Sequence, residues 1–365
     1  MKKTLLATAI AGAMVFGTIS AQAATVYDQD GTKVDIYGRI AMGIRGGGTE
    51  YDGGVYENNG ADFGDAFSRL GLRLQHMVSS DLTAFGHLEW RFKADGGDAR
   101  YEAFSETRQS YLGLRSNTWG TIQAGNFDSF FKDAVTAPFD VYIDAGLEFA
   151  GHPTQSRGDS IGYITPNMNG FQVFLQAKHY SDRGEGTGSE RDEEIVAQGG
   201  VVYEVGGLRL AAGFIDDKAI FNEDGTRDIH SSGDRNGNDE LRYGATAAYQ
   251  FTPEFSARLG YEGRDNNSDD QFSPGRNGKG NGYDIWGLGM SYAVGDWAFN
   301  ADVYNVDPDD ASDRTSWAGG AYYNITSNFD VFLELYESDI SSGSVAAGDR
   351  EKDDLYYLVG TRYFF

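Results

Sequence analysis

Leu241-Arg242-Tyr243-Gly244-Ala245-Thr246-Ala247-Ala248-Tyr249-Gln250-Phe251 is the stretch on which the fold turns. Every odd position is apolar or aromatic, and every even one is small or polar. A period of two belongs to a strand with one apolar face, and no helical spacing reproduces it. Phe171, Val173, Leu175 and Ala177 repeat the pattern against Gln172, Gln176 and Lys178. Phe329, Val331, Leu333 and Leu335 repeat it against Asp330 and Glu334. Short connections (Val78-Ser79-Ser80-Asp81, Pro166 to Gly170, Thr252-Pro253-Glu254, Gly295-Asp296, Thr326-Ser327-Asn328) alternate with long polar ones at 46–66, 94–106, 127–156, 181–192, 217–239, 265–282, 306–313 and 339–353. Eight long connections imply about 16 strands, an even number suited to closing an antiparallel barrel.

Composition fits the same architecture. Mean hydropathy is −0.46, and outside the N-terminal region no run approaches the roughly 18 apolar residues of a membrane helix. Yet the chain holds 22 Tyr, 23 Phe and 50 Gly. A barrel wall reconciles the two, because only alternate residues face lipid while the others face water. With no cysteine, an exported chain has no disulfide framework, so an extensive closed sheet must hold it. Aromatics fall near strand ends at Tyr249, Phe251, Phe255, Trp297, Phe329 and Tyr336, where interfacial girdles are expected. The final run, Leu355 to Phe365, reads as a strand closing onto the first one, with Arg362 pointing into the lumen.

Residues 1–23 read as a cleaved secretory leader: Lys2 and Lys3, an apolar Ala/Gly-rich stretch from Thr4 to Ser20, then the small-x-small site Ala21-Gln22-Ala23. Residues 24–365 form one barrel. The formal charge is −25 for the whole chain, and removal of two lysines with the leader takes it to −27. Such acidity excludes nucleic acid as a partner and favours cations.

The start, Val26 to Arg39, resembles the opening of the general porin family of Gram-negative outer membranes, the trimeric 16-stranded type. Further similar runs are SRLGLRL (68–74), LTAFGHLEW (82–90), TRQSYLGL (107–114) and GTIQAGNFD (120–128). The resemblance spans the mature chain. It implies an all-β transmembrane antiparallel barrel with a long third loop folded into the lumen, a homotrimer in the outer membrane, contact with lipid and lipopolysaccharide, and passage of ions and small hydrophilic solutes. It also implies a constriction in which arginines on the wall face carboxylates on that loop. Arg69, Arg108 and Arg157 stand at the family's arginine positions, with Arg39 and Arg73 as further basic candidates. The run VYIDAGLEFAG (141–151) resembles the family's acidic loop, with Leu147 in place of a proline and Ala150 in place of a glycine, and offers Asp144 and Glu148. Asp140 is the alternative acid if the register differs by a turn. Alternation independently sends Arg69 and Arg73 into the lumen, opposite Leu70, Leu72 and Leu74. Opposed charges across a wet gap set ion preference, and the acidic balance predicts a weak preference for cations.

Other functions find little support. None of His76, His87, His152, His179 and His230 sits in a catalytic signature, and there is no phosphate-binding loop or Cys/His metal cluster, so neither an enzyme nor a cofactor is expected. Asp234, Asn236, Asn238 and Glu240 alternate as oxygen ligands could, but lack the glycine and distal glutamate of a calcium loop. A solute-specific channel with a saturable site is the rival reading, since Phe130, Phe131, Phe139, Tyr142 and Phe149 lie in the inward loop. Such aromatics more commonly pack a loop against its wall.

Overall fold

The computed structural model describes residues 23–47, 49–52, 55–58, 60–95, 104–150, 158–180, 194–217, 238–267, 279, 281–309, 312–338 and 355–365. Residues 1–22 of the leader, Arg157, Asp234 and Asn236 lie outside the described residues.

Sixteen antiparallel strands close into a barrel. In order they are Thr32–Gly47, Arg69–Met77, Leu82–Arg91, Glu106–Ser116, Gly120–Asn126, Ser160–Ile164, Phe171–Tyr180, Glu194–Val205, Leu208–Asp217, Glu240–Gln250, Phe255–Arg264, Tyr283–Val294, Trp297–Pro308, Arg314–Thr326, Phe329–Glu337 and Tyr356–Phe364. Each pairs with its sequence neighbour, and Tyr356–Phe364 pairs back onto Thr32–Gly47, from Arg39 opposite Phe364 to Gly47 opposite Tyr356. A further short strand, Ala24–Gln29, pairs with residues Thr32 to Ile36 and extends the same edge. The turn between them is Asp30-Gly31, both at positive φ (51° and 74°). That is the pairing a two-residue hairpin demands, because its mirror-image turn matches the strand twist.

The alternation seen in sequence becomes an inside and an outside. Along Tyr283–Val294 burial alternates without a break. Trp286, Leu288, Met290, Tyr292 and Val294 are 45–54% exposed and face outward. Their neighbours Tyr283, Ile285 and Ser291 are buried. Inside, charge is buried in pairs: Arg258 grips Asp302 at 2.9 and 2.6 Å, and Arg242 and Arg264 share Asp217 at 2.7 and 3.0 Å. Large apolar side chains outside and paired ions inside invert the soluble pattern, as a wall between lipid and a wet lumen requires. Each described strand of the barrel is paired on both sides, so the sheet closes without a free edge toward hydrocarbon.

Aromatics collect outside at both rims. Tyr249, Phe251 and Phe255 form a chain with centroids 4.8 and 5.5 Å apart. Trp297 stacks on Phe299 at 5.7 Å and meets Tyr323 at 4.8 Å, beside Phe329 and Tyr363. At the opposite rim Tyr243, Tyr261 and Trp286 cluster. Tyr336 does not join a girdle. It shares the parity of the inward Asp330, Phe332 and Glu334, and its hydroxyl donates to Glu148 inside the barrel at 2.7 Å. The long connection at 46–66 also holds more structure than polarity suggests: a hairpin, Thr49–Asp52 with Val55–Asn58, then a strand, Asp62–Asp65, that pairs with Met42 to Arg45.

Candidate functional site: the inward loop and the basic wall

The third long connection turns into the lumen directly after Asn126. Phe127, Phe130 and Phe131 pack on Phe174, Val202, Ala211 and Ile215 of the wall. Phe139 and Phe149 pack on Tyr283, Ile285, Tyr304 and Val306. Ile143 packs beside Tyr322, Phe332 and Leu358. The wall is shaped to receive these rings. A Cβ at Gly260 would stand 2.7 Å from Phe149 and 2.8 Å from Phe139, and one at Gly287 would stand 2.8 Å from Phe149. Only glycine admits so close an approach. Four of the five loop aromatics named from sequence are thus buried packing residues, and Tyr142 ties itself to Ala318 O at 3.1 Å.

Polar side chains of the wall satisfy the loop's backbone, which has no strand partner. The Gln176 carbonyl accepts from Phe130 N (2.8 Å) and that of Gln198 from Phe131 N (3.1 Å). Glu334 accepts from Ile143 N (2.7 Å) and Asp144 N (3.3 Å), and Glu262 accepts from Ala150 N (2.8 Å).

Acidic residues of the loop divide into two groups. Glu148 is 3% exposed. The guanidinium of Arg314 takes both its oxygens, at 2.7 and 2.8 Å, with Tyr336 donating and Lys279 at 3.8 Å. Burial alone would raise this carboxyl, but Arg314 and Lys279 hold it at about 2. Glu148 therefore anchors the loop to the wall and is not on its open face. Asp133, Asp140 and Asp144 are exposed. Asp140 lies 2.8 Å from Lys132. Asp144 accepts from the Tyr356 hydroxyl and lies 3.9 Å from Arg45.

The basic candidates gather on the first strands. Arg39, Arg69 and Arg91 lie directly opposite one another across three strands, a row of like charges that ordinary sheet pairing disfavours. Glu89 sits among them, accepting from Arg108 and from Tyr37 (2.7 Å) and lying 3.6 Å from Arg69. Arg108 also reaches Asp128 at 3.2 Å. Arg73 covers the Tyr37 ring at 4.3 Å. Arg39 donates to Phe67 O at 2.9 Å. Neither Arg39 nor Arg73 has a carboxylate partner among the described residues. Arg108 owes its direction to a bulge. Leu112 and Leu114 face out, so strict alternation would send residue 108 out as well. The pairing slips between Glu89 opposite Gln109 and Trp90 opposite Thr107, leaving Arg108 as the extra residue, turned inward.

Several contributors escape the sequence reading: Arg45, Arg91, Glu89, Asp133 and Arg314. Extending the inward parity from Arg39 six residues would have found Arg45, and the same count along Leu82–Arg91 gives Glu89 and Arg91. Asp133 lies on a single helical turn, Lys132–Thr136, which carries no strand parity. Asn238, in the alternating run that lacks a calcium loop's pattern, is buried and donates to Asp265 O and Asn281 O at 2.8 and 2.9 Å.

The model of the family described as Gram-negative porin matches residues 7–343. The chain belongs to the Gram-negative porin family. A monosaccharide porin of Halomonas sp is 32% identical over 378 residues, covering all of this chain and 91% of the relative. A major outer membrane protein of Halomonas elongata matches equally, and outer membrane porin F of Escherichia coli K12 is 29% identical over 59% of each chain. Among solved structures, Salmonella typhi OmpF superposes with a TM-score of 0.68 at 16% identity, covering 94% of this chain and all of that one. An anion-selective porin from Comamonas acidovorans gives 0.65 at 18%, covering 92% and 100%. At those identities the structures speak for the fold alone. As a porin, the chain is a multi-pass outer-membrane channel and not an enzyme.

Proposed function

We propose that this porin passes ions and small hydrophilic solutes with a weak preference for cations, through a constriction between the open face of the inward loop and the basic wall. One observation carries the reading. The loop packs along the wall from Phe174 round to Leu358 and, among the described residues, leaves the strands Arg69–Met77 and Leu82–Arg91 free of its packing. Those are the strands that carry Arg69, Arg73 and Arg91, while the loop keeps Asp133 and Asp140 exposed, with Asp144, also exposed, beside Arg45 and Tyr356. A wet gap between the two faces has a field across it that a dipolar solute aligns with and an apolar one cannot use. Arg39, Arg69, Arg73, Arg108 and Arg157 form the basic side; Asp140 and Asp144, joined by Asp133, form the acidic side. Glu148 serves by holding the loop in place. The charge of −25 over the chain enriches cations at the mouths.

Planar-bilayer recording in a salt gradient tests this. The expected reversal potential favours cations, moves further that way in Arg39→Gln/Arg69→Gln, and moves back in Asp133→Asn/Asp140→Asn. Anion preference in the wild type overturns the proposal. The reading includes cleavage after Ala23, a homotrimer that opens in steps of three, and acidic outer loops facing lipopolysaccharide. A mature mass starting elsewhere, or single unlinked steps, would remove the first or second of these. Unchanged thermal stability on adding lipopolysaccharide would remove the third. A second reading, preference for a monosaccharide, is favoured by the full-length relative named for that solute.

A further inference from the structure

The ion pairs inside the barrel differ in how much of them a solute can touch. Arg242 with Asp217, Arg258 with Asp302 and Arg314 with Glu148 are closed, each side chain no more than 4% exposed. Arg45 and Asp144 are not: their side chains are 37% and 24% exposed at a separation of 3.9 Å. The pair joins the inward loop to the strand Thr32–Gly47. Its groups are also held still. Arg45 donates one Nη to Asp65 O at 2.5 Å. The Tyr356 hydroxyl donates to Asp144 Oδ2, Asp144 N is fixed by Glu334, and the Tyr356 ring leans on the Tyr322, Phe332 and Leu358 cluster.

We propose that Arg45, Asp144 and Tyr356 form a binding subsite for a neutral polyhydroxylated solute of monosaccharide size. The proposal rests on the second reading above and gives it a location. Asp144 Oδ1 has no hydrogen-bond partner among the described residues and is placed to accept a hydroxyl proton, while the guanidinium edge of Arg45 donates to the adjacent hydroxyl oxygen. Two neighbouring hydroxyls of a sugar present that donor and acceptor side by side. Bonds to ionised groups are stronger than those between neutral ones, which suits capture from water. The partly buried Tyr356 ring supplies an apolar flank for the C–H face of the sugar. The pair is internally neutral, so a neutral ligand keeps both charges compensated, whereas a zwitterion would have to separate them.

The test is current-noise titration of the full-length refolded porin with D-glucose, with glycine as a second probe. In the wild type, glucose should block the current saturably. Asp144→Asn, Arg45→Gln and Tyr356→Phe should each raise the half-saturating concentration by about tenfold or more. Lys33→Gln, at the short-turn rim, should leave it unchanged. Heat-shifted gel mobility of each variant confirms a folded barrel, and Tyr356→Phe, which keeps the ring, guards against loss through misfolding. Saturable block that survives all three changes overturns the subsite while leaving sugar preference standing. A wild-type block linear in glucose, or tighter for glycine, overturns the sugar reading together with the subsite.

Discussion

Replacing Arg314 with Gln tests how the inward loop is held. In the native barrel both Glu148 oxygens lie in the Arg314 fork, at 2.7 and 2.8 Å, and the carboxylate is 3% exposed. Removing one partner of a buried pair costs about 3–5 kcal/mol, because the other charge stays without compensation. Lys279 at 3.8 Å and the Tyr336 hydroxyl at 2.7 Å remain on the carboxylate, which places the expected loss near the lower figure, about 3 kcal/mol. Glu148→Gln should cost less, about 2 kcal/mol, since Arg314 keeps Ser338 O at 2.8 Å as an acceptor. The double variant should lose less than the two singles together, by about 1–2 kcal/mol. Equilibrium urea unfolding in lipid vesicles measures these values, and single-channel recording should show flicker in Arg314→Gln as the loop tip leaves the wall. The pH dependence has a definite sign. Glu148 is held at about 2 against about 4.3 for a free glutamate. Its stabilising share is therefore complete above about 4.3 and is lost as pH falls through about 2. The gap between wild type and Arg314→Gln should narrow as pH falls and close below about 2, where Glu148 is protonated in both proteins. Strictly additive single variants, or a quiet channel with unchanged stability in Arg314→Gln, would refute the latch.

Gly260→Ala with Gly287→Ala should push the Phe139 and Phe149 rings off the wall, costing about 1–3 kcal/mol for each change and lowering single-channel conductance as the loop shifts toward the pore axis. Gly319→Ala, where a Cβ would meet only Trp317 at 4.0 Å, is the matched control, and equal conductance in both would count against the seat. Leu288→Arg, on the lipid face midway between Trp286 and Tyr292, should destabilise the barrel by about 2–4 kcal/mol; a neutral outcome in vesicle unfolding would mean that this face does not meet hydrocarbon.

The strands were legible because a lipid-facing wall forces a period of two, and Tyr283–Val294 keeps it for its whole length. The leucines opposite Arg69 and Arg73 fixed the facing of both residues. Alternation fails where the ladder slips, and Arg108 is the case in point: its register is set by a bulge that only the paired strand reveals. Tyr336 misled for a different reason, since nearness to a strand end says nothing of which face a residue takes. In the loop no period applies. Glu148, Asp140 and Asp144 look alike in sequence, and only their surroundings separate them: Arg314 encloses the first, Lys132 of the loop meets the second, and the third stays exposed beside Arg45 and Tyr356. The glycines under the loop were invisible among fifty, because what distinguishes Gly260 and Gly287 is the ring resting on each.

The seam at Thr32–Gly47 has a kinetic consequence. Its partner, Tyr356–Phe364, lies more than 300 residues away in the chain, so the bond that makes a ring of the sheet is among the last that can form. Until then two raw margins are on offer, that of Thr32–Gly47 and that of Phe329–Glu337, each able to recruit a stranger. Contacts this distant are also slow to find. Insertion of this protein is therefore a race between self-capture and misassembly, and whatever escorts it must shield those two margins until the C-terminal strand arrives.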